Sequence, residues 1–328
     1  MPDLAALRPP RSSVLTAYAA VYVVWGSTYL AIRYAIETLP PFLMAGIRFL
    51  IAGALLFLWA RLRGAPRPSL ANWKGTLLIG ALLLLGGNGA VVWAEQRVPS
   101  GIAALLVATV PLWMVLIEWL RPGGRRPTAR VALGVVAGMF GLLVLVGPGS
   151  LRGDGNVNAL GAAALVFGSL SWAVGSLWSK RVTLPESPSL ATGMEMLAGG
   201  ALLLLAGIGT GELAALDLGG ASLASIGALA YLILFGSLVG FSAYVWLLKV
   251  EPPARVATYA YVNPVVAVLL GWLVAGERIT GATLVAAAII IGAVVLIVSG
   301  RKPDAAQHDE AEPEPAEGEG RQRRRAVA

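Results

Sequence analysis

The chain contains no cysteine, a single histidine and little charge, and each shortage removes a class of function. Without cysteine there is no disulfide, no thiol nucleophile and no Cys-ligated metal. The one histidine, His308, lies in a polar tail, so the apolar body has neither the commonest metal ligand nor the usual general base. Charged residues make up 13% of the 328, about half the share of a soluble domain. A Walker A loop and a nucleophile elbow are also missing. Primary ATP-driven transport and most enzyme chemistry therefore lack residues, and the chain is expected to be no enzyme and to hold no cofactor and no metal. The net charge of +7 is scattered over short loops between apolar runs rather than gathered on a soluble module, which argues against nucleic acid as a partner.

What is present is apolar length. Hydrophobic residues make up 57% of the chain, and glycine is abundant at 40, as suits helices packed closely in lipid. About 20 apolar residues cross ~30 Å of hydrocarbon, and on that ruler ten spans fit between residues 14 and 299. The first run is too long for a signal peptide and shows no small-residue cleavage site, so it reads as a retained span. Turn chemistry marks the breaks, as at Leu39-Pro40-Pro41, Pro122-Gly123-Gly124 and Pro185-Glu186-Ser187-Pro188. Of the 25 Lys and Arg residues, all but Arg33, Arg48, Arg97, Arg152 and Arg278 fall on the side of the N-terminus. The positive-inside rule then places both termini in the cytoplasm. From Arg301 the composition turns to Asp, Glu, Pro and Gly and ends in Arg321-Gln322-Arg323-Arg324-Arg325, a segment expected to be disordered.

The long middle of the chain occurs twice. A shift of 153 carries Trp93, Pro111 and Trp119 onto Trp246, Pro264 and Trp272, Ala45-Gly46 onto Ala198-Gly199, and Trp25 onto Trp178. Ten spans in two copies leave five per copy, an odd number, so the second copy lies upside down relative to the first. The expected fold is an all-α membrane protein of ten transmembrane helices in two inverted five-helix repeats. It divides into a cytoplasmic segment 1–13, a first repeat 14–147, an inverted second repeat 157–299 and a cytoplasmic tail 300–328. Inverted repeats are the recurring frame of secondary transporters.

Polar and aromatic groups inside the spans are the candidate site. Tyr18, Tyr22, Trp25, Tyr29 and Arg33 share one helical face, with Trp25 in mid-span. Asn88, within Gly86-Gly87-Asn88-Gly89, needs an amide partner in a stretch that three glycines weaken. Tyr259 and Asn263 step by four ahead of Pro264. Pro264 frees the carbonyl of Ala260 and Pro111 that of Val107, so the two prolines are candidate kinks at paired gates. With Trp93, Trp172 and Tyr244, the residues Trp25, Asn88, Tyr259 and Asn263 form the expected substrate-binding set; Trp93 has interfacial anchoring as its alternative. Glu195, inside the seventh span without a basic neighbour in sequence, is the candidate for proton coupling. Glu37, Glu95 and Glu277 lie at outer ends, where ion pairs with Arg33, Arg48, Arg97 or Arg278 are the expected arrangement.

Several motifs resemble the drug/metabolite transporter (DMT) superfamily, EamA type: Trp25-Gly26-Ser27, Gly46-Ile47-Arg48-Phe49, Asn263-Pro264-Val265-Val266 and Gly276-Glu277-Arg278. The resemblance spans about residues 14 to 299. It implies a ten-helix inverted-repeat carrier with a central cavity, exporting amino acids, metabolites or toxic compounds. One departure stands out: thirteen residues past Pro264 lies Glu277, but thirteen past Pro111 lies Gly124, so Glu277 has no symmetric counterpart. The combined reading is a secondary active transporter of small metabolites or amino-acid-like, amphipathic compounds in the cytoplasmic (inner) membrane, with export favoured over uptake. Its expected partners are the substrate, the lipid bilayer and a coupling proton, with a homodimer left open. The alternative is a membrane channel or scaffold without coupled transport.

Overall fold

The computed structural model describes residues 10–124, 126–151, 157–217, 219–251, 253–256 and 258–300. The tail expected to be disordered and the first nine residues lie outside them. Helices follow one another as α1 Arg11–Ala35, α2 Pro41–Leu62, α3 Leu70–Ala94, α4 Ser100–Leu120, α5 Ala129–Leu151, α6 Ala159–Trp178 and α7 Pro188–Gly209. Three consecutive pieces, Leu223–Tyr231, Leu232–Val239 and Gly240–Val250, make up α8; then come α9 Tyr259–Ala275 and α10 Gly281–Gly300. No strand occurs among the described residues. Nine of these helices are long and apolar enough to cross a membrane, and α9, at 17 residues, falls short of that length. The expected ninth span is divided: a separate turn, Pro253–Val256, precedes α9, whose N-cap is Thr258.

The helix starts are written in the sequence. Ser69 and Asn72 form a reciprocal capping box before α3. Ser222, 153 positions on, accepts the Ser225 amide before α8, and Asn158 and Ser187 do the same for α6 and α7. Outward-facing positions carry exposed leucines such as Leu58, Leu62, Leu133, Leu143 and Leu273. That is the distribution of a bundle whose rim meets lipid rather than water.

Contacts between the halves come in reciprocal pairs. Helix α1 packs on α8 and α9, and α6 packs on α3 and α4. Helix α2 packs on α7, α5 on α10, and α4 on α9. A Cβ on Gly53 would lie 2.8 Å from the Leu197 amide and 2.9 Å from the Gly193 carbonyl, while Gly46 abuts Leu204 and Gly207 abuts Leu43. Numbers rise along α2 as they fall along α7, so the two helices cross antiparallel with their backbones nearly touching. Gly134 against Ile297 and Gly141 against Ile290 give the same sense for α5 and α10. A Gly53→Leu substitution has backbone on two sides and no room to shift. It is expected to lower stability by about 1–3 kcal/mol, read as a lower melting temperature of the purified protein.

Candidate functional site

Helices α3 and α8 each change pitch midway. Ala81–Asn88 and Leu232–Val239 are π-helical, a form that is rare and collects at functional sites. In both, a backbone carbonyl accepts a hydrogen bond from a side chain of the other half. Ser171 Oγ of α6 donates to the Leu82 carbonyl at 2.7 Å, and Trp25 Nε1 of α1 donates to the Gly236 carbonyl at 3.2 Å. The first helix of each half thus stitches the π segment of the opposite half.

Four of the sequence-predicted residues meet around that second stitch. The Trp25 ring stands 5.2 Å from Tyr244 and 5.2 Å from Tyr259, and those two tyrosines lie edge to face at 5.7 Å. Phe241 closes the group at 5.3 Å from Trp25. Such edge contacts are worth about 0.5–1.5 kcal/mol each beyond burial. Asn263 is buried, and with its amide turned to satisfy both groups it donates to the Tyr259 and Tyr22 carbonyls at 3.3 Å. Tyr22 in turn bonds the Thr258 hydroxyl at the start of α9. Beside the cluster a cleft of about 680 Å³ opens between α1 and α8, reached by Ser13, Thr16, Ser242 and Trp246.

The other candidates lie apart from these. Asn88 ends the π segment of α3, and its buried Oδ1 has no hydrogen-bond partner. Trp172 of α6 packs on the residue before it: a Cβ on Gly87 would lie 2.8 Å from the indole, so the glycine makes the room the ring occupies. Trp93, at the last turn of α3, lies under the Arg97 guanidinium at 4.2 Å. Glu195 is half-buried on α7 and has no ion pair among the described residues. The two prolines are unlike. Pro111 opens the second piece of α4 after a break at Ala108-Thr109, with Thr109 and Ser169 hydroxyls both donating to the Leu106 carbonyl. Pro264 sits inside an unbroken α9. The break on the second copy falls earlier, at Thr258.

The acids are where sequence reasoning fell shortest. Gly276 turns the chain through a left-handed φ of 64° and lets the Glu277 amide bond back to the Gly271 carbonyl. The Glu277 carboxylate then reaches the start of α4, accepting from the Ser100 amide and hydroxyl at 2.8 Å and the Gly101 amide at 3.0 Å. Arg33 lies 3.5 Å from it, the one ion pair of the expected set that forms. Glu212 similarly accepts from the Phe42 and Leu43 amides at the start of α2. Carboxylates suit helix N-termini because the first turn's amides are unpaired and the dipole is positive there. Glu95, one residue past α3, is 4% exposed and has neither an ion pair nor any hydrogen bond to its oxygens. Burial, with Glu277 nearby, holds its carboxyl well above the ordinary range, and Arg33 opposes that only in part.

Arg48 departs furthest from expectation. Named only as a possible partner for an outer-end acid, it is 4% exposed and lies seven residues into α2, about 10 Å along the axis. A cation at such depth costs about 2.5–3.5 kcal/mol on insertion scales. Its Nε donates to Ser237 Oγ at 3.0 Å, and Phe49 lies 4.7 Å beneath the guanidinium. No carboxylate pairs with it among the described residues. The available signal was its distance from Pro41, where a helix is bound to begin.

Comparison with known proteins now gives the context. The profile described as "EamA-like transporter family" matches residues 12–147 and again 159–299. The chain is 44% identical over 284 residues to "Uncharacterized inner membrane transporter YedA" of Escherichia coli (strain K12), covering 86% of this chain and 89% of that one. It is 27% identical to "Protein PecM" of Dickeya dadantii (84% and 88% covered) and 26% identical to "WAT1-related protein At3g02690, chloroplastic" of Arabidopsis thaliana (86% and 68% covered). A solved structure titled "Crystal structure of protein" superposes with a TM-score of 0.60 at 23% identity, over 89% of this chain and 99% of the other, and shares the fold.

Proposed function

Because the chain belongs to the EamA-like transporter family, we propose that it is a secondary active exporter of small, amino-acid-like or amphipathic metabolites. It works by alternating access between two inverted halves, 14–147 and 157–299, in the cytoplasmic membrane with both termini inside. The observation that carries this reading is the reciprocity of the cross-half contacts: α1 on α8 and α9 is answered by α6 on α3 and α4, around antiparallel α2–α7 and α5–α10 crossings. A frame built of two interchangeable halves can swap their conformations, and the swap exchanges which side is open. Supporting it, the sequence-predicted binding residues divide by the same exchange. Trp25, Tyr244, Tyr259 and Asn263 gather on α1, α8 and α9, and Asn88 and Trp172 on α3 and α6, with Trp93 at the rim.

In this reading the aromatic group holds the apolar part of the substrate and the two asparagines orient its polar part. Pro111 and Pro264 kink the moving helices at paired gates, and Glu195 carries the coupling proton. Reconstitution tests the proposal. Counterflow of a labelled metabolite into preloaded proteoliposomes is expected to saturate with concentration and to drop in Trp25→Ala and Tyr259→Ala. Linear flux without saturation sinks the carrier reading.

A further inference from the structure

We infer that Arg48 binds a carboxylate on the transported molecule, an inference that rests on the carrier reading above. Arginine keeps its proton in proteins, so a guanidinium buried this deeply calls for an anion. None of the carboxylates among the described residues pairs with it. Among the described acids, Glu277 is taken by Arg33 and the α4 amides, and Glu212 by the α2 amides. Glu95 has no partner at all, Arg48 included.

The surroundings are built to hold the guanidinium rather than to neutralise it. Ser237 Oγ takes the Nε hydrogen at 3.0 Å and Phe49 supports the plane at 4.7 Å, which together fix its orientation. Gly236 makes the room: a Cβ there would lie 3.1 Å from Nη2 and 3.1 Å from the Thr28 methyl. That glycine belongs to the π segment of α8 and is the same residue whose carbonyl Trp25 stitches. The donors on Nη1 and Nη2 meet no acceptor among the described residues. A fixed fork with a free Nη edge matches the two oxygens of a carboxylate. A single fixed cation balances a monoanion, which favours a carboxylate over a phosphate dianion. With Trp25 and Thr28 alongside, the remainder of the ligand meets an apolar, aromatic surface.

The test uses the purified full-length chain and paired probes: phenylacetate, hexanoate and N-acetylphenylalanine, each against its own amide. A ligand that binds the native state raises its melting temperature. At least one acid of the series is expected to stabilise the wild type while its amide does not. Arg48→Gln should abolish the shift, and Arg48→Lys, which keeps the charge but loses the fork, should bind about tenfold or more weakly. If Arg48→Gln does not fold, Arg48→Lys carries the comparison. The proposal is overturned if no acid shifts the wild type, if amides shift it equally, or if the folded variants bind acids as the wild type does. Saturable counterflow of an amide that Arg48→Gln leaves intact would reject the anion site and keep the carrier; linear flux with acid binding retained would do the reverse.

Discussion

Glu277→Ala is expected to cost about 2–5 kcal/mol of stability, because it strips the acceptor from two buried backbone amides at once. Ser100 and Gly101 are both buried, and their N–H groups have the Glu277 oxygens as partners. A buried donor left unsatisfied costs about 1–3 kcal/mol. The Arg33 contact adds little, since the Arg33 side chain is 37% exposed and water screens the pair. Arg33→Ala should therefore cost less than about 1 kcal/mol. Glu277→Gln, which keeps one acceptor, should fall between them. Melting temperatures of the three variants in one detergent decide the matter: equal losses for Glu277→Ala and Arg33→Ala would mean that the ion pair, not the helix cap, is what counts.

The second large effect is a pH dependence centred on Glu95. Its carboxyl is raised first by burial and then by Glu277, against Arg33, and Tyr29 also faces it. The carbonyl end of α3 disfavours its charge further. A carboxyl raised in the folded state keeps its proton after the unfolded chain has lost it. The stabilisation is complete below the ordinary value of 4.5 and drains away as pH climbs toward the folded group's own value. Across that window the loss approaches about 1.4 kcal/mol per pH unit. Melting temperature is thus expected to fall as pH rises above the ordinary carboxylate range in the wild type and to stay nearly level in Glu95→Gln. Parallel slopes for the two proteins would show that Glu95 is already ionised when folded.

Much of the frame was legible in the letters, for a physical reason. Lipid leaves backbone groups no partner but each other, so apolar runs of span length are read as helices with little ambiguity. The face shared by Tyr22 and Trp25 and the four-residue step from Tyr259 to Asn263 are local, and the structure brings these four residues to one place. What could not be read depends on the opposite half. The π segment of α8 has a single glycine to announce it, and that glycine's carbonyl accepts from Trp25, more than two hundred residues earlier. Glu95 reads as a rim residue because run lengths locate helix ends only to within a turn, and one turn separates a solvated charge from a buried one. Glu277 and Gly124 were rightly flagged as unequal. The reason lies in the letters: the position equivalent to Ser100 is Pro253, preceded by Pro252, and a proline has no N–H to donate to a carboxylate.

The two π segments also carry information about descent. A turn bonded from i to i+5 holds one residue more than an α-turn. Yet Ser69 to Trp93 and Ser222 to Trp246 span the same number of positions. A surplus residue gained separately in each copy would be a coincidence of both place and count. The simpler history puts the insertion in the ancestral single unit, before it doubled.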